Sequence, residues 1–414
     1  MSRLEELIEK LCPDGVEYKT LIELGNFYGG LTGKSKDDFT DGNAKFITYM
    51  NVFNNPSLNT DVTDTVKVGE TEKQNTIQYG DVVFTGSSET PDECGMSSVL
   101  TTKTSEKLYL NSFCFGYRLH KLDDFNPDFL KHLLRSSDLR KQIKRTASGV
   151  TRFNVSKKKM ETVKIPVPPL EVQSEIVRIL DNFTELTTEL TTELTARKKQ
   201  YEYYRDELLT FENEVEYMEL GELATIVRGA SPRPIKNFIT DDETAVNWIK
   251  IGDVPPNSKY VTSAKERITL EGAEKSRFVK NGDFILSNSM SFGRPYILKI
   301  DGCIHDGWLS ISNFEEYVTA DYLYYILISS NIQAEMRQKA SFGGAVQNLN
   351  ADIVKGITIP VPSFEEQQRI VDILDRFDKL CNDISEGLPA EIEARQKQYE
   401  YYRDKLLTFK EKAI

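Results

Sequence analysis

The chain has 414 residues and a mass of 47.3 kDa, which is too long for one hydrophobic core and suggests two or three domains. Charged residues make up 28% of the chain, and no apolar run reaches the length of about 18 residues that a membrane span needs. The 52 basic and 64 acidic residues give a net charge of -12, so DNA binding would have to rest on local clusters or on partner subunits. Residues 1–12 lack the apolar core of a secretory signal, and five cysteines without a close pair indicate reduced thiols, so we expect a cytoplasmic protein without membrane attachment.

The predicted elements form two mixed domains, each followed by a long helix. We assign residues 1–162 to a first α+β domain, because short β-branched and aromatic runs alternate there with Gly, Asn and Asp turns. A first long helix is expected in 163–213, a second α+β domain in 214–356 and a second long helix in 357–414. In chain order, the predictions inside the domains are strands at 45–49 and 81–84 with a helix at 127–144, then strands at 248–251 and 283–286 with a helix at 320–339.

An internal repeat is the strongest feature of the sequence. Residues 199–211 read KQYEYYRDELLTF and residues 397–409 read KQYEYYRDKLLTF, so only one of 13 aligned positions differs. Upstream, residues 165–168 and 359–362 both read IPVP. The segments between these blocks agree only loosely, which predicts a pseudo-two-fold internal repeat of variable and constant parts.

Both constant parts show apolar residues spaced alternately by four and three, which is the pattern of a coiled-coil helix. Because proline cannot continue a helix backwards, we place the first helix after its IPVP block, over about residues 171–212. The two seams are predicted to pair as an antiparallel coiled coil that carries one domain at each end. In the alternative, each helix packs on its own domain or on another chain. The residues assigned to the coiled coil or to partner contacts are Leu180, Phe183, Leu190, Leu194, Tyr201, Tyr204, Leu374, Phe377, Tyr399 and Tyr402.

Two irregularities mark these helices. Gly387-Leu388-Pro389 interrupts the second seam, and proline inside a helix costs about 3 kcal/mol, so we expect a kink or a short break there. In the first helix, residues 185–195 form the tandem repeat ELTTELTTELT. Each tetrapeptide would add about 6 Å and about 1.1 turns of helix. The number of tetrapeptides would therefore set the distance between the groups that are attached to the two ends of the helix.

The catalytic and metal-binding patterns that we considered do not fit. The three histidines are scattered, no Gly-x-Ser-x-Gly elbow is present, and no motif resembles the Asn-Pro-Pro-Tyr of amine methyltransferases. Residues 29–35, GGLTGKS, resemble a phosphate-binding loop, but Tyr28 stands where that loop requires its first glycine. We therefore predict a non-catalytic chain with no metal site or cofactor of its own.

Polar loops with Gly, Ser, Asn and a few cations recur at matching places in the two variable parts. Such loops suit DNA, because hydroxyls and cations hold phosphates while Arg, Asn and Gln read base edges. Their chemistry differs between the two parts, as expected of two readers of different sequences. The predicted DNA contacts are Lys34, Ser35, Lys36, Ser87, Ser88, Thr151 and Arg152 in the first part, and Arg228, Ser231, Arg233, Asn288, Ser289, Arg294, Gln347 and Asn348 in the second.

This organisation resembles the specificity (S) subunit of type I restriction-modification systems over nearly the whole chain. The resemblance rests on the twin IPVP blocks and on the twin Arg-x-x-Gln-Tyr-Glu-Tyr-Tyr-Arg-Asp tails that begin at Arg197 and Arg395. The tandem repeat and the paired turns YGDV at 79–82 and NGDF at 281–284 add to it. One departure is Gly387-Leu388-Pro389, which bears on whether the two helices are equally straight.

The resemblance implies two target-recognition domains, each reading one half of a bipartite, asymmetric sequence in double-stranded DNA. It also implies two methyltransferase (M) subunits, which bind S-adenosylmethionine and modify adenine, and restriction/translocase (R) subunits, which use ATP and Mg. A coiled-coil protein–protein adaptor without DNA readout is an alternative, and salt-dependent DNA binding with the methylating partner would distinguish the two. A single-chain methyltransferase is a third reading, which S-adenosylmethionine binding by the isolated chain would favour.

Overall fold

The computed structural model describes residues 2–211, 215–254, 258–288, 292–341, 349–383 and 386–413. The chain divides into two compact units. Unit 1 comprises Met1–Glu189 with Ile392–Ile414, and unit 2 comprises Leu190–Glu391. Each unit therefore combines strands and short helices with segments of long helices from both halves of the chain.

Helices occur throughout the described residues. The α-helices are α1 Arg3–Leu11, α2 Leu21–Leu24, α3 Tyr49–Asn54, α4 Pro127–Leu133, α5 Ser137–Arg145, α6 Lys157–Met160, α7 Leu170–Leu208, α8 Leu220–Leu223, α9 Leu270–Glu274, α10 Ala320–Ile328, α11 Ser330–Ser341, α12 Ala351–Lys355, α13 Phe364–Asn382 and α14 Leu388–Leu406. Short 3-10 helices cover Lys36–Phe39, Leu122–Asp124, Ile235–Asn237 and Ile251–Asp253.

The strands of unit 1 form small sheets. They are β1 Glu17–Thr20, β2 Gly25–Gly29, β3 Ala44–Ile47, β4 Thr65–Val66, β5 Thr76–Ile77, β6 Val82–Thr85, β7 Ser87–Ser88, β8 Ser97–Val99, β9 Leu108–Leu110, β10 Cys114–Leu119, β11 Ala147–Ser148, β12 Phe153–Val155 and β13 Lys164–Val167. Two sheets have four strands, in the orders β2-β10-β6-β8 and β4-β3-β9-β5. A three-stranded sheet follows the order β11-β12-β7, and β1 pairs with β13.

Unit 2 repeats this scheme with larger sheets. Its strands are β14 Glu216–Glu219, β15 Thr225–Arg228, β16 Ile239–Thr240, β17 Val246–Ile249, β18 Tyr260–Val261, β19 Glu266–Ile268, β20 Arg277–Val279, β21 Phe284–Ser287, β22 Pro295–Leu298, β23 Gly302–Ile304, β24 Trp308–Ser312 and β25 Thr358–Val361. Two five-stranded sheets follow the orders β15-β24-β21-β22-β18 and β16-β19-β17-β23-β20. The ladder of β14 with β25 corresponds to that of β1 with β13. The predicted α+β class with an internal repeat is confirmed.

Each IPVP block forms an edge strand that leads into a long helix. In unit 1, Tyr18 lies opposite Pro166 in the antiparallel ladder of β1 and β13. In unit 2, Tyr217 lies opposite Pro360 in the ladder of β14 and β25. Proline lacks the amide that a central strand must donate, so a two-stranded ladder suits these residues. The predicted extended segments before the helices are confirmed.

The long helices are confirmed, with a difference between them. Helix α7 runs without interruption over 39 residues, whereas its counterpart ends at Asn382 and resumes at Leu388. Pro389 is the second residue of α14, where the missing amide removes no intrahelical hydrogen bond. The proline that would break a helix interior thus stands at a helix start, which agrees with the short break predicted at residues 387–389.

The two predicted helical stretches inside the domains are each split by a serine. Ser136 separates α4 from α5, and its hydroxyl donates to the Leu133 carbonyl at 2.7 Å. Ser329 separates α10 from α11 and donates in the same way to the Ile326 carbonyl at 2.7 Å. A serine hydroxyl competes with backbone amides for such carbonyls. The repeat is thus preserved at the level of single hydrogen bonds.

The hydrophobic core of each unit includes long-helix residues. In unit 1, Ile176 and Leu180 of α7 are buried with Phe84 and Phe129, and the Phe183 ring stacks on Tyr402 of α14 with centroids 5.2 Å apart. The start of α7 therefore packs both on the strands and helices of unit 1 and on α14. Both packing arrangements that the sequence left open are present together.

Unit 2 shows the equivalent arrangement. The Tyr204 ring of α7 stacks on Phe377 of α13 at 5.9 Å. The two helix segments of this unit therefore pack on each other through residues of the predicted apolar seams.

Candidate nucleic-acid interface

Two of the predicted DNA-contacting loops meet in unit 1. Strand β12 pairs antiparallel with β7, with Phe153 opposite Ser88 and Asn154 opposite Ser87. The Ser87 hydroxyl accepts a hydrogen bond from Arg152 Nε at 3.0 Å. The ladder therefore holds the loop around Ser87 beside the loop that ends at Arg152.

An open cavity of about 990 Å³ lies between these loops, and Thr151 also lines it. Three large apolar side chains border it while remaining exposed, namely Met50 at 54%, Phe113 at 59% and Val150 at 91%. The Arg152 guanidinium lies 5.7 Å from the centre of the Phe113 ring. Exposed apolar groups around a cationic centre are typical of a binding surface rather than of a solvated loop.

The cavity contains three types of group that can read base edges, namely cationic, acidic and apolar side chains. Arginine donates to guanine, carboxylates accept from the cytosine amino group, and apolar side chains contact the thymine methyl. Arg152 supplies the donors, while Glu89 and Glu93 supply carboxylates. Glu93 accepts hydrogen bonds from Ser88 at 3.2 Å and from Thr90 at 2.7 Å, which fixes its position.

The predicted contacts at residues 34–36 are placed differently. Lys34 Nζ donates to the Glu72 carboxylate and to the Lys67 carbonyl, both at 2.6 Å. Hydrogen bonds from Lys34 and then from Gln74 lower the pKa of the Glu72 carboxyl to about 2. Ser35 caps the 3-10 helix that starts at exposed Lys36. These residues belong to a separate, internally bonded turn and do not line the cavity.

In unit 2, four of the predicted contacts gather around Asp306. Its carbonyl accepts hydrogen bonds from Arg228 Nε and Asn288 Nδ2, both at 3.0 Å. Its carboxylate accepts from the Ser231 hydroxyl at 2.7 Å and lies 3.5 Å from the Arg233 guanidinium. The hydrogen bond from Ser231 is the main cause of the lowered pKa of Asp306. Arg233 is 83% exposed and remains available to a ligand.

The remaining predicted contacts of unit 2 are separate from this cluster. The Arg294 guanidinium lies 5.5 Å from the Tyr296 ring centre and borders a cavity of about 360 Å³ with Phe292 and Gln333. Ser289, Gln347 and Asn348 lie outside the described residues.

Sequence reasoning missed Met50, Phe113 and Asp306. Asp306 stands in the turn His305-Asp306-Gly307, whose Gly could have marked a loop with a fixed carboxylate. Nothing in the local sequence distinguishes Phe113 from the buried Phe115 two residues later. Only the fold shows which of the two rings faces solvent.

The residues assigned to the coiled coil or to partner contacts differ in how deeply they are buried. Leu180 and Leu374 are fully buried, and Tyr201 and Tyr399 are nearly so. Leu190 and Leu194, within the tandem repeat, are half-buried. Phe183, Tyr204, Phe377 and Tyr402 form the two stacked pairs described above.

The repeated tail also caps one helix in each unit. In unit 1, the Asp404 carboxylate accepts from the Ser137 amide at 3.0 Å and from the Ser137 hydroxyl at 2.5 Å. In unit 2, Asp206 accepts from the Ser330 amide at 3.1 Å. A carboxylate at a helix N-terminus satisfies amides that have no partner inside the helix. Identical tails thus hold α5 and α11 in equivalent positions.

Other repeated residues make no such internal contact with the core. Tyr203 is 61% exposed and its counterpart Tyr401 is 62% exposed, and the identical pairs Lys199/Lys397 and Glu202/Glu400 are also exposed. Exposed positions nearer the helix starts have diverged, as in the pairs Ser174/Gln368, Arg178/Asp372 and Asn182/Arg376. The tails thus keep several identical exposed residues close together, whereas exposed identity is sparser elsewhere, as at Glu171 and Glu365.

Membrane-spanning helices and metal clusters are absent from the residues that the structure describes. No helix there combines the length and the apolar character needed to cross a bilayer. No group of three or more His, Cys, Asp or Glu side chains in that part of the chain is arranged to hold a metal ion.

Known proteins resemble the chain in sequence and in fold. A region of 261 residues is 41% identical to the EcoR124I/EcoR124II specificity subunit of Escherichia coli, covering 59% of this chain and 63% of the relative. A putative type I restriction enzyme specificity subunit of Haemophilus influenzae, S.HindORF215P, is 36% identical over 299 residues, covering 69% of this chain and 73% of the relative. The match thus spans less than two thirds of the Escherichia coli protein.

Solved structures share the fold. The HsdS subunit from Thermoanaerobacter tengcongensis superposes with a TM-score of 0.52 over 97% of this chain and 99% of its own, at 17% identity. A chain solved in work on complex assembly and conformational transition of the type I R-M system reaches a TM-score of 0.70 at 15% identity, covering 96% and 98%. Two stretches, residues 13–198 and 212–394, each match the family described as type I restriction modification DNA specificity domain. The chain therefore belongs to the type I restriction-modification DNA specificity family.

Proposed function

We propose that this chain is the non-catalytic DNA-recognition subunit of a type I restriction-modification complex and reads a bipartite, asymmetric target. Residues 1–162 and 214–356 are the two readers. One observation carries the proposal: the two units keep the same scaffold contacts, such as the carboxylate caps on Ser137 and Ser330, while their loop clusters differ in chemistry. Unit 1 presents Arg152 beside an apolar cavity, and unit 2 presents cations around Asp306.

The long helices, in 163–213 and 357–414, hold the readers and set the length of the unread spacer. Their tails also bind the methyltransferase subunits. Surface residues drift in a duplicated sequence unless something outside the chain contacts them. Because Tyr203 and Tyr401 are exposed and lie in nearly identical sequences, two copies of the same partner can bind to the chain.

The chemistry belongs to the partners. The methyltransferase subunits bind S-adenosylmethionine and modify adenine, and the restriction/translocase subunits use ATP and Mg. This chain supplies base contacts, phosphate contacts and positioning, and acts in the cytoplasm, where the double-stranded DNA target is found.

The decisive experiment exchanges residues 214–356 for the corresponding segment of a relative with a known target. The methylation pattern of the host genome, mapped by single-molecule sequencing, is expected to change in one half-site and to keep the other. The reciprocal exchange of residues 13–162 should change the half-site that was kept. A change in both half-sites after one exchange would contradict the two-reader proposal.

A further inference from the structure

Unit 1 concentrates positive charge in one short segment. Residues 137–159 contain eight Lys or Arg side chains and one Asp, so the segment carries a net charge of +7 in a chain whose total is -12. Of these cations, only Arg152 is among the DNA contacts that the sequence predicts. A local charge of this sign within an acidic protein points to an anionic ligand.

The fold brings the two ends of this segment together. Ala147 lies opposite Val155 in the ladder of β11 and β12, and the Ser156 amide donates to the Thr146 carbonyl at 3.2 Å. The last turn of α5 and the first residue of α6 therefore lie side by side. The basic face, defined as Lys141, Lys144, Arg145, Lys157, Lys158 and Lys159, is exposed at all six positions.

A cavity gives this face a concave part. It measures about 560 Å³ and is lined by Lys141, Lys144 and Arg145 together with Ser148 and Gly149 of the hairpin loop. The same loop continues through Thr151 and Arg152 into the base-reading cavity. The basic face thus borders the proposed reading site on the same hairpin.

Three of these six cations have a contact inside unit 1, and one of them is Lys157, whose Nζ lies 5.5 Å from the centre of the Phe115 ring. Lys144 forms an ion pair with Asp92, and Lys158 lies 3.5 Å from Glu161. Within the described residues, Lys141, Arg145 and Lys159 form no ion pair. Arg140 differs, because its guanidinium is half-buried and donates to the carbonyls of Gly95 and Cys94. It stabilises the fold and does not belong to the face.

Unit 2 lacks five of the six cations of this face at the equivalent positions. The alignment is fixed by the buried pairs Ile143/Met336 and Met160/Val354. It places Arg337 at the position of Lys144, which keeps the charge, but Ala334 and Gln338 at the positions of Lys141 and Arg145. Ala351, Asp352 and Ile353 stand at those of Lys157, Lys158 and Lys159. The corresponding segment, 330–353, has two cations and two carboxylates, for a net charge of 0.

We propose that the basic face of unit 1 binds backbone phosphates of DNA and that unit 2 has no equivalent, so that phosphate contacts are concentrated at the half-site that unit 1 reads. This inference rests on the proposed function, because it needs DNA bound to unit 1. Backbone contacts position a protein on the duplex without specifying bases. Unit 1 therefore anchors the complex through phosphates, and unit 2 depends more on contacts to bases.

The test uses the chain assembled with its methyltransferase subunits and a duplex that contains the target. The triple variant Lys157→Gln, Lys158→Gln, Lys159→Gln should make the slope of log affinity against log salt less steep by about 0.9 for each phosphate that is no longer neutralised, or about 2 to 3 in all. The weakening should be equal for target and non-target duplexes, and the methylated sequence should not change. The double variant Lys141→Gln, Arg145→Gln tests the other element of the face in the same way.

The matched control makes the reverse change in unit 2. The variant Asp352→Lys, at the exposed position equivalent to Lys158, should steepen the salt slope and tighten binding. Because all three lysines of α6 are exposed, the unit 1 variants should assemble normally.

An unchanged salt slope in the unit 1 variants, or an altered methylated sequence, would overturn the proposal. Loss of the methyltransferase subunits on size-exclusion chromatography would overturn it in favour of a protein-binding face. If the unaltered complex shows no preference for its target, the proposed function itself fails, and that outcome is recognised before any variant is compared.

Discussion

Arg152 of unit 1 combines a fixed position with free hydrogen-bond donors. Its Nε is held by Ser87 at 3.0 Å, and within the described residues its terminal nitrogens have no hydrogen-bond partner. We expect Arg152→Ala to weaken binding to the target by about 1–3 kcal/mol and to relax the preference at one position of one half-site. Competition binding with a set of single-base variants of the target measures both effects.

The control for Arg152 is Arg178→Ala on α7, whose guanidinium is occupied by Glu175 at 2.7 Å. It removes the same charge from the same unit and should leave base preference unchanged. If Arg152→Ala reduced binding equally for all duplexes, Arg152 would contact phosphate rather than a base.

His132 gives unit 1 a specific response to acid. Its ring is 1% exposed and lies between the Tyr399 hydroxyl at 2.9 Å and the Asp181 carboxylate at 2.8 Å. Burial lowers the pKa of His132 below its ordinary value of 6.5, although Asp181 acts in the opposite direction. Below about pH 6.5 the unfolded chain therefore binds a proton at this histidine more readily than the folded chain does. As a result, the free energy of unfolding falls as the pH falls.

The variant His132→Gln isolates this effect. It should be less stable than the unaltered chain at pH 7.5, because two hydrogen bonds are changed. The difference should narrow at pH 5.5, where the neutral histidine of the unaltered chain contributes less. Urea unfolding at both pH values measures it, with exposed His120→Gln as the control. A difference that stays constant with pH would show that folding does not lower the pKa of His132.

At the scale of single residues, the sequence predicted residue types better than positions. Lys34 and Ser35, predicted as DNA contacts, have the expected polar chemistry, but Lys34 is bonded to Glu72 and Ser35 caps a short helix. Arg152 and Ser87 are 65 residues apart, and no local pattern joins them. Their contact depends on the ladder between β7 and β12, which only long-range folding creates.

At the scale of elements, the aspartates of the repeated tails act on separate helices. Asp404 caps α5 through Ser137 in unit 1, and Asp206 caps α11 through Ser330 in unit 2. We expect Asp404→Ala to destabilise α5 by about 1 kcal/mol, the usual cost of removing a cap. Hydrogen exchange should then quicken in α5 and stay unchanged in α11.

Asp206→Ala is the matched partner and should give the reverse pattern. Each variant thus serves as the control for the other. Faster exchange in both helices after either change would mean that the two caps are not independent.

Secondary structure was predicted well because its signals are local. The spacing of apolar residues predicted α7, and Pro389 predicted the break before α14. The same logic could not foresee that Ser136 and Ser329 divide the shorter helices, because a mid-helix serine is also tolerated when its side chain faces solvent. Which outcome occurs depends on packing around the serine.

At the scale of the whole molecule, most of what the sequence predicts follows from the internal repeat. Two copies of one motif imply two similar scaffolds, and divergence between the copies implies different ligands. The charge difference between segments 137–159 and 330–353 also comes from divergence between the two copies. The sequence alone, however, does not show that the cations of segment 137–159 lie on one surface. Only the ladder of β11 and β12 shows that cations separated by 12 residues, Arg145 and Lys157, share one face.

The tandem repeat in α7 allows a direct test of the helices as a spacer ruler. Deleting residues 189–192 removes one tetrapeptide, or about 6 Å of helix. We expect the unread spacer of the methylated target to shorten by one or two base pairs, at about 3.4 Å each, while both half-sites keep their bases. Single-molecule methylation mapping reads all three features at once.

Two variants separate length from composition. Inserting another ELTT should lengthen the spacer by the same amount, whereas replacing residues 189–192 with four alanines should leave it unchanged, because alanine keeps the helix and its length. If the deletion left the spacer unaltered, the distance between the half-sites would be set elsewhere in the complex. If the alanine variant changed it, the side chains of the repeat rather than the helix length would be responsible.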